Sequence, residues 1–259
     1  NTPRQINILK ALGAEVPQYA HLSMILGDDG TKLSKRHGAV SVMQYHEDGY
    51  LPEAVINYLA RLGWSHGDDE IFSREQFIQW FDLDHITASS AQFNTEKLRW
   101  LNQHYIKQAS DAELVADLRV RMAKRGLDID QGPDALKVVA LVKERAATLN
   151  DLADEAMLFY QDLAPSADLL SQHVTEENLA ALHALKDRLG NSDWTREALG
   201  ALVKDVAKEF GLKMPKLAMP VRVLVTGEPQ TPSIDATLEL LGRERVLARL
   251  EEHLPQPGM

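Results

Sequence analysis

Residues 195–211 read TREALGALVKDVAKEFG, and this stretch sets the expectation for most of the chain. Its apolar side chains recur at three- and four-residue spacing from Leu199 to Phe210, which indicates one buried face of an α-helix. Thr195 is a helix-start residue, and Gly211 is typical of a helix end. A capping residue followed by helical periodicity recurs through almost everything after residue 43. We therefore predict an all-α bundle or cage for that part.

Other start signals divide the chain into further helices. Ser73 with Gln76 and Ser110 with Glu113 have the spacing of a capping box, in which two side chains satisfy free backbone N–H groups reciprocally. Helical periodicity also runs over residues 45–63, 73–81, 94–109 and 111–125. Because one capped helix follows another near residues 108–111, a domain boundary is expected there.

The exception to the helical pattern lies near the start of the sequence. Residues 21–26 are followed by the turn sequence Gly-Asp-Asp-Gly at 27–30 and then by Thr-Lys-Leu at 31–33. Glycine permits the positive φ that tight turns need, so this segment predicts a small β-hairpin that carries a basic loop.

Composition limits the class of protein. The chain has 259 residues, 44% of them hydrophobic, which is enough for two modest domains with their own cores. It has no cysteine, so disulfides and thiolate zinc sites are excluded, and we predict no metal site. No apolar run approaches the ~20 residues of a membrane-spanning helix, which predicts a cytoplasmic protein without a membrane partner.

Two basic segments stand out in a chain whose formal net charge is −10. No acid occurs between residues 30 and 46 or between residues 212 and 227. The first segment places Lys32, Ser34 and Lys35 on a loop with glycine at both ends, a pattern that suits a polyphosphate. The alternative for such a loop is an ordinary solvated turn, because lysine and serine are common there.

The surrounding sequence resembles the KMSKS segment of glutamyl-tRNA synthetases. Residues 22–30, LSMILGDDG, run into KLSKR at 32–36 and HGAVSV at 37–42, with the leucine and arginine variants that this family uses. The resemblance implies that Lys32, Ser34 and Lys35 bind ATP. It also implies that Lys35 is catalytic and stabilises the transition state in which the amino-acid carboxylate attacks the α-phosphate.

Similarity to the same family continues through residues 49–64 and 97–102, which resemble its helical stem-contact region. Exposed Lys97 or Arg99 would there touch the tRNA backbone without reading sequence. The remaining apolar and aromatic side chains are predicted to pack a core: Leu59, Leu62, Trp64, Leu98, Trp100 and Leu101.

Later segments resemble the family's anticodon-binding domain. The resemblance implies an anticodon site formed by these residues: Arg145, Arg222, Thr231, Pro232 and Ile234. Lys143 is the alternative to Arg145, since a small shift of register would exchange them. From the residues alone, the favoured alternative is that Arg222 is a helix cap or ion-pair partner and that Thr231 and Pro232 only start the next helix. The valines at 221, 223 and 225 alternate as in a strand, but the resemblance implies a helix, which is our prediction.

We therefore predict a mainly α fold with three parts. Residues 1–43 end a class I catalytic α/β domain, residues 44–109 form the helical stem-contact region, and residues 110–259 form an α-helical anticodon-binding domain. The resemblance implies part of a glutamate–tRNA ligase that works through glutamyl adenylate, a monomer whose full-length form uses ATP with Mg²⁺, L-glutamate and glutamate-accepting tRNA.

No HIGH segment, which this family uses to hold ATP, occurs in the sequence. The chain is therefore expected to be an incomplete enzyme that is inactive alone and holds no cofactor tightly. The alternative is a stand-alone helical tRNA-binding or regulatory module. An encoding reading frame that extends upstream and contains the HIGH segment would favour the enzyme.

Overall fold

The computed structural model describes residues 1–27, 29–33, 41–161 and 164–256. This part of the chain is mainly helical, which confirms the predicted fold class. Its helices are α1 (Thr2–Ala11), α2 (Val42–Glu47), α3 (Pro52–Arg61), α4 (Arg74–Trp80), α5 (Thr95–Gln108), α6 (Asp111–Lys124), α7 (Ala135–Val142), α8 (Leu149–Tyr160), α9 (Ala167–His173), α10 (Glu176–Asn191), α11 (Arg196–Glu209), α12 (Met214–Thr226), α13 (Ile234–Leu241) and α14 (Arg243–His253). None of the described helices is both long and apolar enough to cross a membrane.

The chain folds into two compact units. The first comprises Asn1–Tyr45 and Pro52–Leu101, and the second comprises His46–Leu51 and Asn102–Met259. A short early segment thus belongs to the second unit, which the sequence did not indicate. The three domain limits drawn from the sequence stay predictions.

The predicted hairpin lies in the first unit. The Gly27 N–H donates to the Thr31 carbonyl at 2.8 Å, the Leu33 N–H donates to the Ile25 carbonyl at 2.9 Å, and Leu26 and Lys32 form an antiparallel bridge. The described residues also include a two-stranded parallel sheet, in which β1 (Ile25–Leu26) pairs with β2 (Ala91–Gln92). Strands of two residues have no alternating pattern, so this pairing leaves no trace in the sequence.

The capping boxes form as predicted. At the start of α4, the Ser73 N–H donates to Gln76 Oε1 at 2.8 Å and the Gln76 N–H donates to Ser73 Oγ at 3.1 Å. At the start of α6, Ser110 and Glu113 make the same reciprocal pair. The capped ends explain why these two helices begin where the sequence places them.

Most of the predicted stem-contact core is buried, but two residues are not. The buried residues are Leu62, Trp64, Leu98 and Leu101. Leu59 is 38% exposed and Trp100 is 50% exposed, so their assignment to the core was wrong. A helix turns about 100° per residue, which carries Leu59 off the face that buries Tyr58 and places Trp100 opposite buried Leu98.

The core of the second unit surrounds α12. Helix α11, the predicted stretch, buries Leu199, Val203 and Val206 and packs against α10, α12 and α13. Helix α12 packs against α9, α10, α11, α13 and α14. Its valines at 221, 223 and 225 are all fully buried, because the packed helices leave only the first turn of α12 and the side with Met219 and Arg222 accessible. The helical prediction for this segment is confirmed.

The segment His46–Leu51 is tied into the second unit by buried polar side chains. Arg121 on α6 is 8% exposed, and its guanidinium donates to Asn150 Oδ1 at 2.7 Å and to the carbonyls of His46 at 3.0 Å and Glu47 at 3.3 Å. Its Nε also donates to Asp117 Oδ2 at 2.6 Å. Arg121 thus adds a second donor to each carbonyl, because the His46 carbonyl also accepts from the Gly49 N–H and the Glu47 carbonyl also accepts from the Asn150 amide.

Asn102 provides the second attachment of this segment. Its buried amide accepts from the Leu51 N–H at 2.8 Å and donates to the carbonyls of Ala147 at 2.7 Å and Gly49 at 3.3 Å. Gly49 has φ +88°, and a Cβ built on it would lie 2.7 Å from the Asn150 nitrogen. Only glycine fits this close approach of two backbones.

Candidate nucleic-acid interface

Arg222 projects from α12 beside a turn of fixed shape. The helix ends at Gly227, whose φ of +77° is the left-handed conformation that glycine adopts without strain. Thr226 Oγ1 donates to the Arg222 carbonyl at 2.8 Å and accepts from the Glu228 N–H at 3.1 Å. Arg222 Nε donates to Thr231 Oγ1 at 3.0 Å, so the guanidinium is held against the far side of the turn.

Three of the five residues predicted for the anticodon site line one cavity of about 530 Å³. They are Arg145, Arg222 and Thr231. The rest of the lining is formed by Leu169, Gln172, His173, Met219, Pro229 and Gln230. The volume is within the range of small-ligand sites, roughly 300–1,000 Å³, and polar and apolar groups face it together.

Pro232 and Ile234 do not line this cavity. Both are buried, and Ile234 begins α13 and belongs to the hydrophobic core of the second unit. Pro232 directly follows Thr231, which does line the cavity. A contact of either residue with RNA stays a prediction.

The two guanidiniums of the cavity differ in their partners. Arg145 Nη2 lies 3.2 Å from Glu155 Oε1, an ion pair that offsets its charge. Arg222 forms no ion pair with any residue that the structure describes. Burial lowers the pKa of Arg222, and the nearby charge of Arg145 lowers it further, although an arginine stays protonated at neutral pH. The cavity therefore holds a half-buried cation with unused donors.

Lys143, the alternative to Arg145, has a structural role. Its Nζ lies 2.7 Å from Asp111 Oδ1, and its side chain is 18% exposed. Residues lining the cavity include Arg145 and not Lys143. Of these two residues, Arg145 is therefore the one at the cavity, and its contact with RNA stays a prediction.

Of the predicted ATP-binding residues, the structure describes Lys32 alone. Lys32 is exposed, and its backbone bridges Leu26 in the hairpin. Ser34 and Lys35 lie outside the described residues. Their roles in ATP binding and catalysis stay predictions.

The first unit has a smaller cavity of about 180 Å³ where a phosphate contact by Lys97 was expected. Lys97 Nζ lies 2.8 Å from Glu70 Oε1, and Arg61 Nη2 lies 4.0 Å from the same atom. The hydrogen bond from Lys97 lowers the pKa of Glu70. Lys97 therefore has an internal partner that a tRNA phosphate would have to displace.

Several residues of the larger cavity were not predicted from the sequence. Met219 lies three residues before Arg222, so helical spacing within the acid-free segment was a usable signal for it. The cavity is also lined by three residues of another helix, α9: Leu169, Gln172 and His173. His173 is the only basic residue of α9, so this helix has no basic cluster that would indicate RNA binding. Only the packing of α9 on α12 places these three residues at the cavity.

Two family models match the sequence. The model described as the anticodon binding domain matches residues 91–254, and the model of the class I tRNA synthetase (E and Q) catalytic domain matches residues 1–100. The matches agree with the cavity lying in the second unit and the hairpin lying in the first.

Individual proteins give the same result. The chain is 70% identical to a glutamate–tRNA ligase of Thiobacillus denitrificans and 66% identical to one of Azoarcus sp. BH72, in each case over 98% of the chain and 54% of the relative. A solved glutamate tRNA ligase of Elizabethkingia meningosepticum superposes with a TM-score of 0.81 at 28% identity, covering 97% of the chain and 54% of that structure. The chain thus spans about half the length of the curated relatives it matches.

Proposed function

The chain belongs to the glutamate–tRNA ligase family of class I aminoacyl-tRNA synthetases, and from that premise we propose that it supplies tRNA recognition and the ATP loop of such an enzyme. The full-length enzyme attaches glutamate to its tRNA in two steps through glutamyl adenylate. Its partners are ATP with Mg²⁺, L-glutamate and glutamate-accepting tRNA, and it acts as a monomer in the cytoplasm. The first unit carries the ATP loop, and the second unit reads the anticodon.

The observation that carries this proposal is the cavity where Arg145, Arg222 and Thr231 meet. Single-stranded RNA is read from unstacked bases, whose edges and faces must both find partners. Arg222 offers a planar fork of donors that no described carboxylate occupies. A turn held by Gly227 and Thr231 keeps that fork in place before RNA arrives.

Replacing Arg222 with alanine is expected to weaken binding of glutamate tRNA by about 1–3 kcal/mol, the usual cost of losing a good base contact. The loss of binding free energy should be smaller for a tRNA with a changed anticodon, because Arg222 already contacts the wrong base poorly in that complex. Filter binding of the 259-residue chain at several salt concentrations measures both values.

Lys216→Ala is the matched control for that substitution. Lys216 lies on the same helix in the same acid-free segment, but it pairs with Glu177 at 2.6 Å and does not line the cavity. It should affect both tRNAs little and equally. An equal loss for both tRNAs in Arg222→Ala would mean that Arg222 holds only phosphate, and the anticodon site would have to be abandoned.

This chain by itself is expected to bind tRNA without making glutamyl adenylate. The family resemblance assigns most of the ATP site and the glutamate pocket to sequence outside the 54% of the relatives that the chain matches. Reacting groups that are not held together lose the advantage of proximity. Glutamate-dependent pyrophosphate exchange should stay at background. Robust exchange would contradict the assignment of the ATP site and glutamate pocket to sequence outside this chain.

A further inference from the structure

Helix α9 forms one wall of the larger cavity. None of the residues proposed above for the anticodon site lies on this helix. Leu169, Gln172 and His173 all face the cavity, and they are spaced three and four residues apart along the chain. That spacing places them on one face of the helix. One face of α9 therefore lines the cavity together with the turn at residues 229–231.

The wall is fixed in position by a buried amide. Asn178 is 5% exposed, and its Nδ2 donates to the His173 carbonyl at 2.8 Å and to the Lys216 carbonyl at 3.3 Å. The first carbonyl ends α9, and the second lies in the first turn of α12. One side chain thus joins the two helices that carry Gln172, His173 and Arg222, so their spacing is set before a ligand binds.

The polar groups on this wall have unused hydrogen-bonding capacity. Within the described part of the chain, the Gln172 amide and the His173 imidazole make no hydrogen bond and no ion pair. Gln172 is exposed and His173 is half-buried. Leu169, Met219 and Pro229 add apolar surface beside them. A ligand with a flat apolar face and a polar edge would use both kinds of group.

We propose that Gln172 and His173 contact the base of an unpaired RNA nucleotide in this cavity, with Gln172 determining which base is accepted. A side-chain amide offers one donor and one acceptor side by side, which matches the hydrogen-bonding edge of a base. The base lies on the surface of Met219 and Pro229, and its acceptor atoms face Arg222. This assignment rests on the proposed anticodon function and adds a specificity residue to it.

Gln172→Ala in the 259-residue chain tests the assignment. Affinity for glutamate tRNA should fall by about threefold to tenfold, as expected for loss of one neutral hydrogen bond. Affinity for a tRNA with a changed anticodon should not fall. Because Gln172 is exposed and has no described partner, the thermal unfolding midpoint should stay the same. His173→Gln, which keeps a hydrogen-bonding side chain of similar reach, should lose less than His173→Ala.

Ser171→Ala provides the control on α9, since Ser171 is exposed and does not line the cavity. If Gln172→Ala and His173→Ala leave both tRNAs unaffected while Arg222→Ala discriminates between them, the α9 assignment is overturned and the anticodon function stands. Equal losses for both tRNAs would also overturn it, because the side chains would then touch only the RNA backbone. If Arg222→Ala fails to discriminate as well, the anticodon function itself falls.

Discussion

Replacing Arg121 with alanine is expected to lower the free energy of unfolding of the second unit by about 3 kcal/mol, the low end of the cost of breaking a buried ionic network. The guanidinium holds the carbonyls of His46 and Glu47, the amide of Asn150 and the carboxylate of Asp117. Its loss leaves the Asp117 carboxylate without its cationic partner and takes one donor from each of the other acceptors, in a site where water replaces the guanidinium poorly. Urea unfolding followed by far-ultraviolet circular dichroism should show a lower midpoint.

Arg119→Ala is the matched control, on the same helix and of the same chemical change. Arg119 makes two hydrogen bonds to the Asp130 carboxylate, but both side chains are largely exposed. Exposed ion pairs contribute little, so the unfolding midpoint should barely move. Similar midpoints for the two variants would show that Arg121 does not anchor the segment His46–Leu51.

Lys35→Ala should slow glutamyl adenylate formation by about a hundredfold or more in a full-length ligase that carries this sequence, as loss of a transition-state charge contact does. The affinity for tRNA should change little, because the family resemblance assigns Lys35 to ATP. Pyrophosphate exchange and filter binding on the same preparation separate the two effects.

Lys32→Ala is the comparison for that measurement, since Lys32 is a second lysine of the same loop. Its effect on adenylate formation should be the smaller one. If Lys35→Ala weakened tRNA binding and left the chemical step intact, the loop would be an RNA contact. The stand-alone tRNA-binding module would then be the better description of this chain.

Local signals in the sequence were enough to predict several elements of the fold. The helix starts at Ser73 and Ser110 were predictable because a capping box involves residues only three positions apart. The face of α11 was predictable because it packs on one side only. For α12 the residues alone were misleading, because its alternating valines are typical of a strand and most of the helix is buried. The family resemblance supplied the answer.

Features that depend on distant contacts left no local signal. The pairing of β1 with β2 joins residues 25–26 to residues 91–92, and each strand is too short to have a pattern. The bonds of Arg121 reach backbone carbonyls, which every residue type possesses. At the candidate site, Arg145 and Arg222 were predicted through the family resemblance, whereas α9 joins the cavity only by tertiary packing.

The attachment of His46–Leu51 to the second unit also bears on the order in which the protein is made. These residues leave the ribosome before Asn102, Arg121 and Asn150, which hold them in the finished fold. The His46 carbonyl can accept from the nearby Gly49 N–H, but the Gly49 carbonyl meets the Asn102 amide and the Leu149 N–H only after the chain has been translated past those residues. The second unit is therefore complete only when residues translated late contact the early segment His46–Leu51. A piece beginning at residue 102 would lack the Gly49 carbonyl that receives the Leu149 N–H.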